Sequence, residues 1–117
     1  MAGLDMEGPY TFDTDTIDSK TSASLSNYAL GYITENGLFK PQYVGRGDVK
    51  TRLKAHLKEY DALLFKFSYA KSEKEAYEKE CVNYHDFEPE WNDIHPTLPK
   101  GVKCPVSTCK HVGREEN

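Results

Sequence analysis

Arg52 and His56 stand four residues apart in Val49-Lys50-Thr51-Arg52-Leu53-Lys54-Ala55-His56. On a helix that spacing sets a guanidinium and an imidazole on neighbouring ground, where both can address one ligand. The guanidinium offers a planar fork of donors that fits a phosphate in a way lysine does not match. Glu80 is the next group of note: Ala76, Glu80, Asn83 and Phe87 recur at helical spacing, which turns Glu80 inward among small and apolar residues. A single carboxylate with room for water suits Mg²⁺, which keeps most of its hydration shell and takes few protein ligands. Tyr28 and Tyr43 add two phenols, poor bases near neutral pH unless cations lower a pKa of about 10. Taken singly, each residue has a plainer reading: tyrosines pack on sheet faces, and a lone arginine, histidine or glutamate on a helix is structural or solvated. Taken together, they are the groups that phosphodiester hydrolysis needs to activate water, stabilise charge on the phosphate and assist the leaving oxygen.

A hairpin running into a helix must position these groups. Residues 28–33 and 39–44 alternate, are rich in aromatics and flank Thr34-Glu35-Asn36-Gly37; Asn-Gly between alternating apolar residues is a strong hairpin signal. A turn centred between Glu35 and Asn36 sets Tyr43 opposite Tyr28. A turn centred one residue later sets Leu30 opposite Tyr43, with Tyr28 as the diagonal neighbour. Gly45 and Gly47 give two permissive backbone positions, which a tight turn explains as well as a phosphate cradle does. Asp48 then caps a helix over residues 49–59 whose buried stripe is Val49, Leu53 and Leu57. Residues 61–70 alternate from Leu64 onward and read as a third strand. Ser72 caps a second helix, with Glu75 completing a capping box.

Upstream, Tyr10-Thr11-Phe12 and Ile17 are expected to add a short edge segment or tuck an aromatic under the sheet. The alternating Thr and Asp of residues 11–18 lack the glycine and closing glutamate of a calcium loop and read as a turn-rich surface. Prolines 89, 96, 99 and 105 break regular structure beyond the second helix. The expected fold is an α/β (α+β) domain with a small, mainly antiparallel three-stranded sheet flanked by helices. Residues 1–25 form a partly ordered N-terminal extension, 26–105 the domain and 106–117 a flexible tail.

The order of these motifs resembles the GIY-YIG nuclease family over residues 10–105. Tyr43-Val44-Gly45 stands for the YIG element and Arg52-Leu53-Lys54-Ala55-His56 for Arg-x-x-x-His. Glu75-Ala76-Tyr77-Glu78-Lys79-Glu80 looks like Glu-Ala-x-x-x-Glu, and Asn92 like the closing Asn. At the first motif, Ser26-Asn27-Tyr28 keeps the tyrosine but not the glycine. The resemblance implies a metal-dependent endonuclease acting on DNA, with one Mg²⁺ or Mn²⁺ held by Glu80. It implies Tyr28 as general base, Tyr43 bonded to water or phosphate, Arg52 on the phosphate, and His56 orienting Tyr28 or relaying its proton. Arg46 and Lys54 are expected at the substrate, and Asn92 is expected to hold the site together or to position substrate. The missing glycine keeps a second expectation open, a non-catalytic domain of the same shape that binds nucleic acid or a protein partner.

Composition sets the outer bounds. The chain of 117 residues carries a formal charge of −4, against avid sequence-blind nucleic-acid binding, which is mostly counterion release by Lys and Arg. Local charge differs from the sum: Lys40, Arg46, Lys50, Arg52, Lys54 and Lys58 face only Asp48 in that stretch, a basic face compatible with a phosphate-bearing substrate. No apolar run reaches membrane-spanning length and the N-terminus lacks a leader pattern, so a cytoplasmic protein is expected. The protein is expected to act on a DNA shape, to act loosely, or to rely on a protein partner for specificity. Cys104-x4-Cys109 with His111, joined by Cys81 or His95, hints at zinc without an obvious fourth ligand, so reduced cysteines are expected rather than a structural Zn²⁺.

Overall fold

The computed structural model describes residues 4–92 and Pro105. Its elements run β1 (Glu7–Thr11), α1 (Thr14–Lys20), β2 (Leu25–Ile33), β3 (Phe39–Asp48), α2 (Val49–His56), β4 (Leu64–Tyr69) and α3 (Glu73–Phe87). The sheet has four strands in the order β1-β4-β2-β3, every neighbouring pair antiparallel. This corrects the expected three: the edge segment foreseen around Tyr10 is a full strand that pairs Tyr10 with Phe65 and Thr11 with Leu64.

Alternation along β2 explains the layers, because successive side chains leave opposite faces of a strand. Tyr28 and Leu30 join Ile17, Val49, Leu53, Phe65 and Phe67 in the larger core, under α1 and α2. Ala29 packs instead with Leu4 and Val44, against Tyr84 and Phe87 of α3. A helix pair therefore covers one face of the sheet and α3 covers the other. β2 is central and buried on both faces, whereas β3 is an edge.

The hairpin register splits the two alternatives. Near the turn Ile33 faces Phe39 and Gly31 faces Pro41, but an irregularity after Leu30 leaves Gln42 extra, so Leu30 faces Tyr43 and Tyr28 faces Gly45. One inserted residue re-aims everything beyond it. The diagonal arrangement of the tyrosines is the one realised. α1 was not expected, since Ile17 is its one buried residue; Asp13 caps it, accepting from the Thr16 N–H at 2.8 Å.

Asp48 caps α2, its Oδ1 accepting from the Thr51 N–H at 3.2 Å. The helix ends at His56 rather than extending to residue 59. Asp48→Ala is expected to cost about 1 kcal/mol, read as a lower urea midpoint with unchanged slope; an unmoved midpoint would mean water replaces the cap fully. Ser72 caps α3 by accepting from the Glu75 N–H at 3.1 Å. Glu75 reaches back one residue further than a capping box requires, to the Lys71 N–H at 3.2 Å.

Cys81 is buried and disulfide-bonded, which corrects the expectation that it is reduced. Cys104, Cys109, His95 and His111 lie outside the described residues. Among the described residues no helix is long and apolar enough to cross a membrane.

Candidate functional site

Tyr28 leaves β2 on the α2 side of the sheet and is almost wholly buried. Its ring lies over Gly45 directly across the hairpin: a Cβ there would stand 2.5 Å from the Tyr28 hydroxyl. Gly45 is thus a strand residue chosen for space rather than the turn residue its sequence context predicts. Gly47 differs, since its φ of +134° is one that glycine adopts without steric cost. A Cβ at Gly47 would sit 3.1 Å from Arg52 Nε, so the second glycine gives the arginine stem its path.

The Tyr28 hydroxyl lies 2.8 Å from His56 Nε2, and His56 Nδ1 lies 3.0 Å from Glu59 Oε1. Tyr43 closes the group, its ring 6.2 Å from that of Tyr28 and 5.0 Å from the His56 imidazole. Tyr60 stacks on Tyr43, and Trp91 stacks on Tyr60 at 5.1 Å and 10°. The structure therefore brings Tyr28, Tyr43 and His56 into direct contact on one face. Arg52 is exposed and makes no hydrogen bond or ion pair with a described residue. Its charge is felt at Tyr28, Tyr43, His56 and Glu80 alike.

Glu80 arrives from the opposite side. It is 7% exposed on the inward face of α3, together with Ala76 and Asn83 as the spacing predicts. Arg46, which shares the α3 face of β3 with Val44, donates from Nη1 to Glu80 Oε1 and from Nε to Glu73 Oε1 at 2.9 Å. Its guanidinium also lies over the Tyr77 ring. Arg46, expected at the substrate, pairs with two carboxylates of the fold. The two groups lie on opposite faces of β3, and the Glu80 charge raises the pKa of both Tyr28 and Tyr43.

Two further residues expected at the site make contacts within the fold. Lys54 Nζ pairs with Asp18 Oδ1 at 2.6 Å, tying α2 to α1. Asn92 grips the edge of β3, accepting from the Val44 N–H at 2.8 Å and donating to the Val44 carbonyl at 2.9 Å. Trp91 adds an N–H to the Gln42 carbonyl at 2.8 Å. Asn92 thereby secures the strand that carries Tyr43 and Gly45.

Burial governs the protonation of the group. It raises the Tyr28 hydroxyl far above its usual pKa, with Tyr43 adding to the rise and Arg52 opposing it. Burial lowers His56 below its ordinary 6.5 while Glu59 pulls the other way, so the imidazole is neutral at pH 7. Burial raises Glu80, opposed chiefly by Arg46.

Glu59, Glu73, Tyr60 and Trp91 were not singled out from the sequence. Glu59 had a signal available, an acid three residues after a histidine at a helix end. Tyr60 had one too, standing four residues after His56 with the two rings 5.3 Å apart; Glu73 and Trp91 contact the site through tertiary packing alone. Comparison of the chain with family models, curated proteins and solved structures gives no match.

Proposed function

We propose that the chain is a divalent-metal-dependent endonuclease that hydrolyses phosphodiester bonds in DNA. The observation that carries this reading is the hydrogen-bonded Tyr28 and His56 pair lying in the field of an uncommitted guanidinium, Arg52, and of a buried carboxylate, Glu80. The motif order that resembles the GIY-YIG nucleases, in which the same residues occupy the motif positions, also supports it.

The residues present fit a single hydrated ion. Glu80 Oε1 is taken by Arg46, while Oε2 makes no hydrogen bond to a described residue and the side chain keeps 10% exposure. No cluster of three or more His, Cys, Asp or Glu that could hold a metal occurs among the described residues. One carboxylate oxygen and a water shell suit Mg²⁺ or Mn²⁺. When bound, the ion supplies positive charge for the phosphate and leaving oxygens.

The chain's own residues do the rest. Arg52 forks onto a phosphate oxygen and neutralises charge as it builds. Tyr28 removes a proton from the attacking water, with its own proton passing to the neutral Nε2 of His56. Tyr43 hydrogen-bonds the water or the phosphate. The basic side chains of α2 bring the substrate to this edge of an acidic molecule.

Cleavage of supercoiled, branched and single-stranded DNA is expected with Mg²⁺ or Mn²⁺ and is lost with chelator. Its rate rises with pH through the His56 pKa, below 6.5, because protonated His56 cannot accept the Tyr28 proton. No cutting of any of these substrates with either metal would end the nuclease reading.

One observation favours a second reading. Arg46 already neutralises Glu80 and is itself shared with Glu73, as in a satisfied structural network. A non-catalytic domain that binds nucleic acid or a protein partner would show no metal-dependent cleavage, and its binding would survive Tyr28→Phe.

A further inference from the structure

We propose that Glu59 is a positioning residue that fixes the His56 tautomer and so decides the direction of the hydrogen bond between His56 and Tyr28. The proposal rests on the nuclease reading for its catalytic consequence, though not for its structural core.

The argument follows from what each group can donate. A neutral imidazole carries one N–H and one lone pair, and which nitrogen holds the proton is set by its partners. His56 has a partner at each nitrogen, Glu59 Oε1 at 3.0 Å from Nδ1 and the Tyr28 hydroxyl at 2.8 Å from Nε2. A tyrosine hydroxyl can donate or accept, so it leaves the choice open. An ionised carboxylate only accepts, so Glu59 requires the proton on Nδ1. Nε2 is then the acceptor, and the Tyr28 O–H must donate to it. This is the arrangement in which the phenol can lose its proton to the imidazole as it takes one from water. The opposite tautomer would donate Nε2–H to the tyrosine oxygen and leave that proton nowhere to go.

The other groups facing His56 cannot do this. Tyr43 and Tyr60 meet the imidazole as rings, and Tyr28 is indifferent to direction. Arg52, on the same helix, disfavours the imidazolium but accepts no hydrogen bond. Among the described residues, Glu59 alone combines an obligate acceptor with contact to Nδ1. Its side chain is 58% exposed, so removing it leaves the core intact, and solvent limits the strength of its charge interaction.

The test is nitrogen-detected NMR of the imidazole in metal-free protein, comparing the unaltered chain with Glu59→Ala and Glu59→Gln, alongside the pH profile of cleavage. The unaltered chain is expected to hold His56 as the Nδ1–H tautomer. Glu59→Ala should populate both tautomers and lower the His56 pKa, because the Glu59 charge that raises it is gone. The acid limb of the pH profile then moves to lower pH by the same amount, while activity on the plateau falls several-fold. Glu59→Gln, whose amide oxygen still accepts from Nδ1–H, should recover the tautomer without restoring the pKa. A merely structural contact would change none of these signals selectively. An unaltered tautomer and pKa in Glu59→Ala overturns the proposal. If the tautomer responds as described but the unaltered chain cuts no DNA, the nuclease reading falls and the orienting contact stands.

Discussion

Glu80→Gln is expected to reduce metal-dependent DNA cleavage on the order of a thousandfold, the scale reached when a preorganised charge-stabilising element is removed from a site. The substitution preserves shape and removes the charge. Its effect on stability should be small, about 1 kcal/mol in either direction, because two consequences offset one another. A neutral amide is easier to bury than a carboxylate whose pKa burial already raises. Against that, Arg46 loses one of its two carboxylates and retains Glu73 at 2.9 Å. Mn²⁺ binding followed by electron paramagnetic resonance separates the two parts of the claim. The variant should bind the ion much more weakly while unfolding near the same temperature. Full cutting by a folded Glu80→Gln protein would remove Glu80 from the mechanism.

Gly45→Ala is expected to be the most damaging single-methyl change near the site. The added carbon would stand 2.5 Å from the Tyr28 hydroxyl and 2.6 Å from its Cζ. The phenol cannot step aside, because Tyr28 is 2% exposed and is held at its tip by His56. Overpacking of this kind costs about 2 to 3 kcal/mol, or roughly a 10 °C fall in melting temperature for a domain of this size. Any displacement of the hydroxyl from His56 also acts on cleavage, where a shift of about 1 Å costs on the order of a hundredfold. In a Tyr28→Leu background, with the obstructing ring gone, the same alanine should cost far less. An unchanged melting temperature for the single variant would show that the close approach is not what demands glycine.

These two sites show how unevenly the sequence discloses the molecule. Asn36-Gly37 marks the hairpin, and the 76, 80, 83 spacing turns Glu80 inward, since both depend on local geometry alone. The extra residue at Gln42 leaves no local mark, so Tyr28 faces Gly45 rather than Tyr43. Helix α1 escapes notice because its seven residues bury only Ile17; its place is set by packing, with Asp18 bound to Lys54. The commitment of Arg46 is equally hidden, because its partners Glu73 and Glu80 lie 27 and 34 residues downstream. Charge along the string predicts a free cation there, and tertiary pairing cancels it.

The grip of residues 91 and 92 on β3 has a consequence for how copies of this protein meet. An edge strand offers unpaired amides and carbonyls that invite a strand from another molecule. Here the outward groups of Val44 are both occupied by Asn92, and the Gln42 carbonyl by Trp91. Strand addition along this stretch of β3 is foreclosed by a segment of the chain itself.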